Sequence, residues 1–201
     1  MIAQWNLARF AETLLPLLDE DTERAIQLAT GAIESFSAQY EKAWLAMMRR
    51  KLGLERVEVD DAELAQEFMN VMQAGQADYI LAWRNLADAA ESNPAPLRSV
   101  FRGDTTKLDE WLPRWLDRLT REERPSAQIA SGMRRVNPYI IPRNHLVEQA
   151  LDAATGNNDF TLFNQLLEAL SDPYTERDAA KVFARPATPE QTAAHRTFCG
   201  T

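Results

Sequence analysis

The sequence has few of the side chains that build metal sites and disulfide frameworks. It contains a single cysteine, Cys199, so an internal disulfide and a multi-thiolate metal site are both excluded. If Cys199 forms a disulfide, its partner lies outside this chain. His145 precedes Glu148 by three residues, a spacing that could hold a metal ion. The pair supplies two ligands where three or four are required, so a hydrogen bond on a helix surface is the favoured interpretation.

The second histidine, His195, lies four residues before Cys199. This spacing allows a thiolate activated by an imidazole. The segment offers no third residue to orient that imidazole, so reversible exchange with another thiol is the favoured role. Cys199 is therefore a possible redox residue. The sequence offers no catalytic residue, no cofactor-binding residue and no metal ligand of its own.

Long apolar runs, phosphate-binding loops and a positive net charge are also missing. No run approaches the ~20 residues of a membrane helix, and the N-terminus has no signal pattern, so we expect a cytoplasmic protein without membrane contacts. No glycine-rich phosphate loop is present. The net charge of -8 disfavours nucleic acid as a partner. The basic groups Arg49–Lys51 and Arg134–Arg135 fit helix C-termini, where cations are stabilised.

Apolar residues recur at helical spacing along nearly the whole chain. Between Ile26 and Met47 they step by three or four residues, which predicts one long helix that ends near Gly53. Alternating strand patterns are essentially absent. We therefore predict an all-α, irregular helical bundle over residues 1–174, with a possible internal boundary near 92–97 at Asn93-Pro94-Ala95-Pro96. Residues 175–201 read as a polar tail that is either mobile or docked on another surface.

Two kinds of side chain have a packing or surface interpretation. The carboxylate pairs Asp60-Asp61 and Glu122-Glu123 are expected on solvated surface, with Asp60 capping a helix and Glu63 three residues on. Tryptophans mostly fall in phase with apolar helix faces and read as packing residues. They are Trp5, Trp44, Trp83, Trp111 and Trp115.

One polar corner lies between two apolar segments. Asn137-Pro138 ends one predicted helix, and Arg143-Asn144 begins the next. The structural interpretation is that Arg143 and Asn144 satisfy helix ends and a carboxylate. That interpretation is the favoured one from the residues alone.

Five short motifs give these observations a family context. In chain order they are Trp5-Asn6-Leu7 with Arg9, Met48-Arg49-Arg50-Lys51-Leu52-Gly53-Leu54, Asp78-Tyr79 with Trp83-Arg84, Asn137-Pro138 before Arg143-Asn144, and Asp159-Phe160 with Pro173-Tyr174. Each motif alone is weak, but five in this order are specific. Over almost its whole length, the chain resembles the C-terminal part of the selenoprotein O family, also called SelO or YdiU.

The resemblance implies a protein kinase-like (pseudokinase) fold that binds ATP and magnesium and transfers AMP to Ser, Thr or Tyr of proteins. The family's catalytic and nucleotide-binding residues all lie before the helix that carries Trp5, so none can be placed in this chain. By the same resemblance, the bundle corresponds to the helical C-terminal part of a kinase-like C-lobe. Cys199 matches the position of the family's C-terminal selenocysteine or cysteine, although Gly200-Thr201 replace the usual two serines.

Two hypotheses follow from the resemblance. In the first, the chain is a truncated or separately encoded helical subdomain that supports a kinase-like N-terminal portion and is inactive alone. In the second, it is a free-standing helical module that binds a protein partner through an exposed apolar face. Self-association through the N-terminal helix is a further expectation.

Overall fold

The computed structural model describes residues 2–194 of the protein. Within that range every regular element is helical and no strand is present, which confirms the predicted all-α fold. The α-helices, numbered α1 to α11 in chain order, are Ile2–Leu18, Thr22–Leu52, Asp61–Ala74, Tyr79–Ala90, Ala95–Ser99, Thr106–Thr120, Ser126–Arg134, Asn144–Asn157, Thr161–Leu170, Lys181–Ala184 and Pro189–Ala194. Across the described range, no helix combines the length and apolar character needed to span a membrane.

The chain forms two compact units, Met1–Met48 and Arg49–Thr201, and the division falls inside α2. The internal boundary predicted near 92–97 lies within the second unit, in the connection between α4 and α5, and stays a prediction. At that connection the Asn85 side chain donates a hydrogen bond to the Pro96 carbonyl at 2.9 Å. The two helices that flank it are thereby held together.

The first unit is a pair of helices, α1 and most of α2. Asp21 caps α2, because its carboxylate accepts a hydrogen bond from the Glu23 N–H at 2.9 Å. No residue of α1 is buried. A groove of about 320 Å³ has an almost wholly apolar lining that includes Leu7, Phe10, Leu14, Leu28 and Phe36. Two helices alone have too little surface to enclose a core, so this apolar stripe remains open.

The second unit has an aromatic core built by α3, α4 and α6. Phe68 stacks on Trp111 with ring centroids 4.5 Å apart and meets the edge of Trp83 at 4.9 Å. Trp111 donates its indole N–H to the Leu64 carbonyl at 3.1 Å. Trp115 lies at 5.7 Å from Trp111. The packing interpretation is confirmed for these three tryptophans, whereas Trp5 in the first unit is 63% exposed.

Helix α2 ends at Leu52, as predicted, because the next residue leaves the helical conformation. Gly53 has φ +79°, in the left-handed region that favours glycine. A Cβ atom at this position would lie 2.6 Å from Ile129 Cγ2 and 2.9 Å from Met133 Sδ. The absence of a side chain therefore allows α7 to approach the end of α2 closely.

A smaller apolar core forms at the C-terminal side of the second unit. Its buried members are Ile140, Leu146, Leu166, Ala169, Ala180, Phe183 and Ala184. The core thus continues past residue 174 into the segment predicted as a polar tail, because Phe183 and its alanine neighbours supply apolar surface to α8 and α9. Cys199 and His195 lie outside the described residues.

We expect Gly53→Ala to lower the free energy of unfolding by about 2 to 4 kcal/mol. The added Cβ atom would strain the left-handed backbone and would also clash with the side chains of α7. The matched control is Gly156→Ala in α8, where an added Cβ meets no atom within 4 Å. That control should be neutral or stabilise by up to about 1 kcal/mol. Urea unfolding followed by circular dichroism measures both variants. Equal stability of the two variants would contradict the close approach of α7 to the end of α2.

Candidate functional site

The structure gathers the second and fourth family motifs around one buried amide. Asn137 is 0% exposed. Its Oδ1 accepts a hydrogen bond from Lys51 Nζ at 2.9 Å, and its Nδ2 donates to the Lys51 carbonyl at 3.0 Å. The Asn137 side chain therefore binds both the ammonium group and the backbone of the last turn of α2. Pro138 follows directly and disfavours continuation of α7.

Arg84 completes this arrangement from α4. Its Nη1 donates to the Arg134 carbonyl at 2.8 Å and to the Asn137 carbonyl at 3.1 Å. The first is the carbonyl of the last residue of α7, which has no partner within the helix, and the second lies three residues further on. We call Lys51, Arg84, Arg134 and Asn137 the Asn137 corner. Burial lowers the pKa of both Lys51 and Arg84.

Arg143 and Asp78, from two other motif positions, form a bidentate ion pair. Arg143 Nη1 and Nη2 donate to the Asp78 carboxylate at 2.8 and 3.0 Å. Asp78 also caps α4, because its Oδ1 accepts from the Leu81 N–H at 2.9 Å. Burial by itself would raise the pKa of Asp78, but the hydrogen bonds from Arg143 and Leu81 outweigh it and the pKa is lowered. The interpretation that Arg143 satisfies a carboxylate is confirmed. Asn144 is the first residue of α8.

The remaining motif residues belong to the first unit. Trp5, Asn6 and Arg9 lie on α1. Arg9 forms an ion pair with Glu12, and its guanidinium carbon lies 5.8 Å from the centroid of the Trp5 ring. These contacts are local to one helix surface. They leave Trp5 largely exposed.

A buried ionic cluster is the feature that sequence reasoning missed. The solvated-surface prediction is wrong for Asp61 and Glu122, which are 1% and 4% exposed. Arg118 Nε donates to Asp61 at 3.0 Å, and Arg118 Nη1 donates to Glu122 at 2.8 Å. Arg49 Nε donates to the other oxygen of Asp61 at 2.6 Å. We call Arg49, Asp61, Arg118 and Glu122 the Arg118 cluster.

Backbone groups complete the hydrogen bonding of this cluster. Glu122 accepts from the Glu55 N–H at 2.9 Å, and Arg118 Nη2 donates to the Arg56 carbonyl at 2.7 Å. Asp61 Oδ2 accepts from the Glu58 N–H at 2.9 Å. The capping prediction for Asp60 is also wrong, since its side chain makes no cap hydrogen bond.

One sequence signal could have revealed the cluster. Positions 111, 115, 118 and 122 step by three or four residues, so Arg118 on α6 and Glu122 just after it continue the stripe of the buried tryptophans. Charged residues in a core stripe are buried only when paired. The pattern identifies the face of α6, although it does not identify Asp61 as the partner.

The hydrogen bonds of the Asn137 corner and of the Arg118 cluster link separate helices and helix ends. Among the described residues, no cluster of three or more His, Asp or Glu side chains is placed to hold a metal ion. His145 stands beside Arg143, and burial followed by that positive charge lowers its pKa. The polar groups of the Asn137 corner and of the Arg118 cluster bond mainly to one another and to the backbone.

Comparison with known proteins places these motifs in one family. The model of the family described as protein adenylyltransferase SelO matches residues 1–171. The chain belongs to the SelO family. Similar relatives, each named protein nucleotidyltransferase YdiU, come from Chromobacterium violaceum, with 47% identity, and from Cereibacter sphaeroides, with 48% identity. Both alignments cover 100% of this chain, but 42% and 40% of the relatives. The chain thus spans about two fifths of the length of these SelO-family proteins.

We expect Arg118→Met to lower the free energy of unfolding by about 3 to 5 kcal/mol, because it leaves two buried carboxylates without their shared partner. The control is Arg114→Met, one turn earlier on α6, whose 58% exposed side chain pairs with Glu67. That exposed pair should contribute about 0 to 1 kcal/mol. Urea unfolding at neutral pH measures both. A loss in Arg118→Met no larger than that of the control would refute the role of the cluster.

The same cluster predicts acid sensitivity. Burial would raise the pKa of Asp61, but hydrogen bonds from Glu58, Arg49 and Arg118 lower it overall, and backbone N–H groups and Arg118 do the same for Glu122. A carboxylate with a lowered native pKa stabilises the fold above its ordinary pKa of about 4 and loses that effect as pH falls further.

We therefore expect the difference in unfolding free energy between the wild type and Asp61→Asn to stay constant from neutral pH to about pH 5, and then to shrink. Urea titrations at a series of pH values measure this difference. A difference that does not change with pH would show that ionised Asp61 does not stabilise the fold.

Proposed function

We propose that this chain is the helical C-terminal subdomain of a SelO-type protein adenylyltransferase, an enzyme that transfers AMP from ATP to Ser, Thr or Tyr of proteins. In this proposal the subdomain supports the kinase-like part and contributes no catalytic residue. The observation that carries it is that the motif residues make contacts inside the bundle. Lys51, Arg84 and Asn137 bond to one another or to helix ends, and Arg143 bonds to Asp78.

The chemistry of these residues supports a scaffold role. A lysine that binds phosphate or acts as a base must reach an open site, but Lys51 Nζ bonds to a fully buried amide. Arg84 is 5% exposed and donates to two backbone carbonyls. Neither cation has an orientation suited to a nucleotide. ATP and magnesium would then bind to the other three fifths of the family's length, with which this bundle would form a kinase-like C-lobe.

The exposed face of α1 favours a partner for the first unit. Besides Trp5, the large apolar residues exposed on this helix are Ile2, Leu7, Phe10, Leu17 and Leu18. Contiguous exposed apolar surface marks an interaction site. We propose that the kinase-like portion covers it. The alternative function, a free-standing module that binds another protein or a second copy through this face, rests on the same observation.

The decisive experiment separates the chain from the rest of the enzyme. This chain is purified alone, and also together with the complementary three fifths of the Chromobacterium violaceum relative, expressed as a second polypeptide. Transfer of labelled AMP from ATP to protein is measured in both samples, and a thermal shift with magnesium and ATP is measured on the chain alone. We expect no transfer and no shift alone, and transfer in the mixture.

A matched variant tests the proposed contact. Trp5→Ser with Phe10→Ser should keep the fold, because no residue of α1 is buried, and should abolish transfer in the mixture. AMP transfer by the chain alone would overturn the proposal. Full activity of the complementary portion without this chain would favour the free-standing module. The redox role of Cys199 and the cytoplasmic location stay predictions.

A further inference from the structure

Three arginines from separate elements line one surface pocket of the second unit. Arg50 lies in the last turn of α2, Arg124 precedes α7, and Arg135 follows α7. The pocket has a volume of about 310 Å³, and its one acidic residue is Glu55. The lining therefore carries a surplus of two positive charges in a chain whose net charge is -8. We call it the basic pocket.

Internal contacts leave two of these guanidinium groups without a counter-charge. Arg124 pairs with Glu55 and donates to the Gly53 carbonyl at 3.0 Å. Arg135 donates only to the neutral Ser131 hydroxyl, at 3.2 Å. The Arg50 side chain has neither a hydrogen bond nor an ion pair with any residue in the range 2–194. Elsewhere in the unit most arginines pair with carboxylates, so this concentration of unpaired charge is local.

Arg124 adds a second, independent observation. Its Nε is buried and has no hydrogen-bond partner among the described residues. A buried donor left unsatisfied is destabilising, so native structures generally provide an acceptor. Arg124 lines the same pocket as the two unpaired arginines. Because this Nε is closed to solvent and the Nη groups bond to Glu55 and Gly53, an anion with several oxygen atoms would bond to Arg50 and Arg135, with Arg124 adding positive charge beside it.

The local backbone leaves room for such a group. Gly53 and Gly132 both line the basic pocket. A Cβ atom on Gly132 would meet only Arg135 Nη2, at 3.9 Å. The pocket is therefore not crowded by side chains at Gly132.

We propose that the basic pocket binds a phosphate monoester or inorganic phosphate through Arg50 and Arg135, with Arg124 as the inner wall. A phosphate monoester carries a charge of about -1.5 to -2 at neutral pH and three acceptor oxygens, which matches two unpaired guanidinium groups. Planar guanidinium groups bind phosphate oxygens with paired hydrogen bonds. The inference does not depend on the proposed function.

Calorimetric titration tests the proposal at constant ionic strength. The probes are inorganic phosphate, a phosphoserine peptide with uncharged flanking residues, and the same peptide with serine. The variants are Arg50→Gln and Arg135→Gln, both at exposed positions, and the control is Arg114→Gln on α6, which removes the same charge elsewhere. Thermal unfolding of each variant checks that the fold is kept.

We expect saturable binding of phosphate or the phosphopeptide in the millimolar range or tighter, and no binding of the serine peptide. Each pocket variant should weaken binding by about tenfold or more, the effect of one lost charge-assisted hydrogen bond, while the control should not. Tighter binding of the phosphopeptide than of inorganic phosphate identifies a phosphorylated protein as the ligand. Binding of inorganic phosphate without binding of the phosphopeptide identifies the free anion as the ligand.

Two results would overturn the proposal: no saturable binding to the wild type, or equal weakening in the control. The test is separable from that of the proposed function. A thermal shift with ATP that disappears in the pocket variants belongs to the basic pocket. A thermal shift with ATP that persists in the pocket variants contradicts the proposed support role. In that case the basic pocket is tested by the phosphate titrations alone.

Discussion

The second unit depends on one buried guanidinium. Arg118 reaches from α6 to Asp61 at the start of α3 and to the Arg56 carbonyl, and it also binds Glu122, just after the end of α6. Removing charges from water is costly, and the cost is offset only when each charge is paired and hydrogen-bonded. Here the two acids and the arginine satisfy one another, with backbone N–H groups taking up the remaining oxygens. The connection between α2 and α3 is fixed as a result.

The Asn137 corner acts on the other side of that connection. Asn137 binds the side chain and the backbone of Lys51, so the end of α2 is tied to the end of α7. Arg84 binds the same end of α7 from α4. Gly53 permits the close approach because it needs no Cβ. The motif residues of the SelO family in this unit thus determine how helix ends meet.

The two units differ in how much of their apolar surface they enclose. The second unit buries an aromatic core and a smaller apolar core, while α1 of the first unit has no buried residue. The second unit encloses its apolar side chains in two cores, whereas the apolar residues of α1 remain largely exposed. The basic pocket differs from both, since Arg50 and Arg135 have no carboxylate partner among the described residues, whereas Arg124 pairs with Glu55.

Much of the helical architecture could be predicted from the sequence, because periodicity and stop signals are local. The long helix ending at Gly53 is an example, and the packing of Trp83, Trp111 and Trp115 follows from their phase. The sequence left residues 175–201 either mobile or docked, because this segment is polar overall; only the surfaces of α8 and α9 make the burial of Phe183 favourable.

The sequence by itself determined the all-helical class, the family and the places where helices stop, because each depends on neighbouring residues or on short motifs. Only the tertiary structure decided which charges are buried. Asp60 and Asp61 are adjacent and chemically equal, yet only Asp61 meets Arg49 and Arg118. Arg118 lies fifty-seven positions away along the chain. Whether a carboxylate can leave water depends on partners that folding brings from such distances, and no local pattern records them.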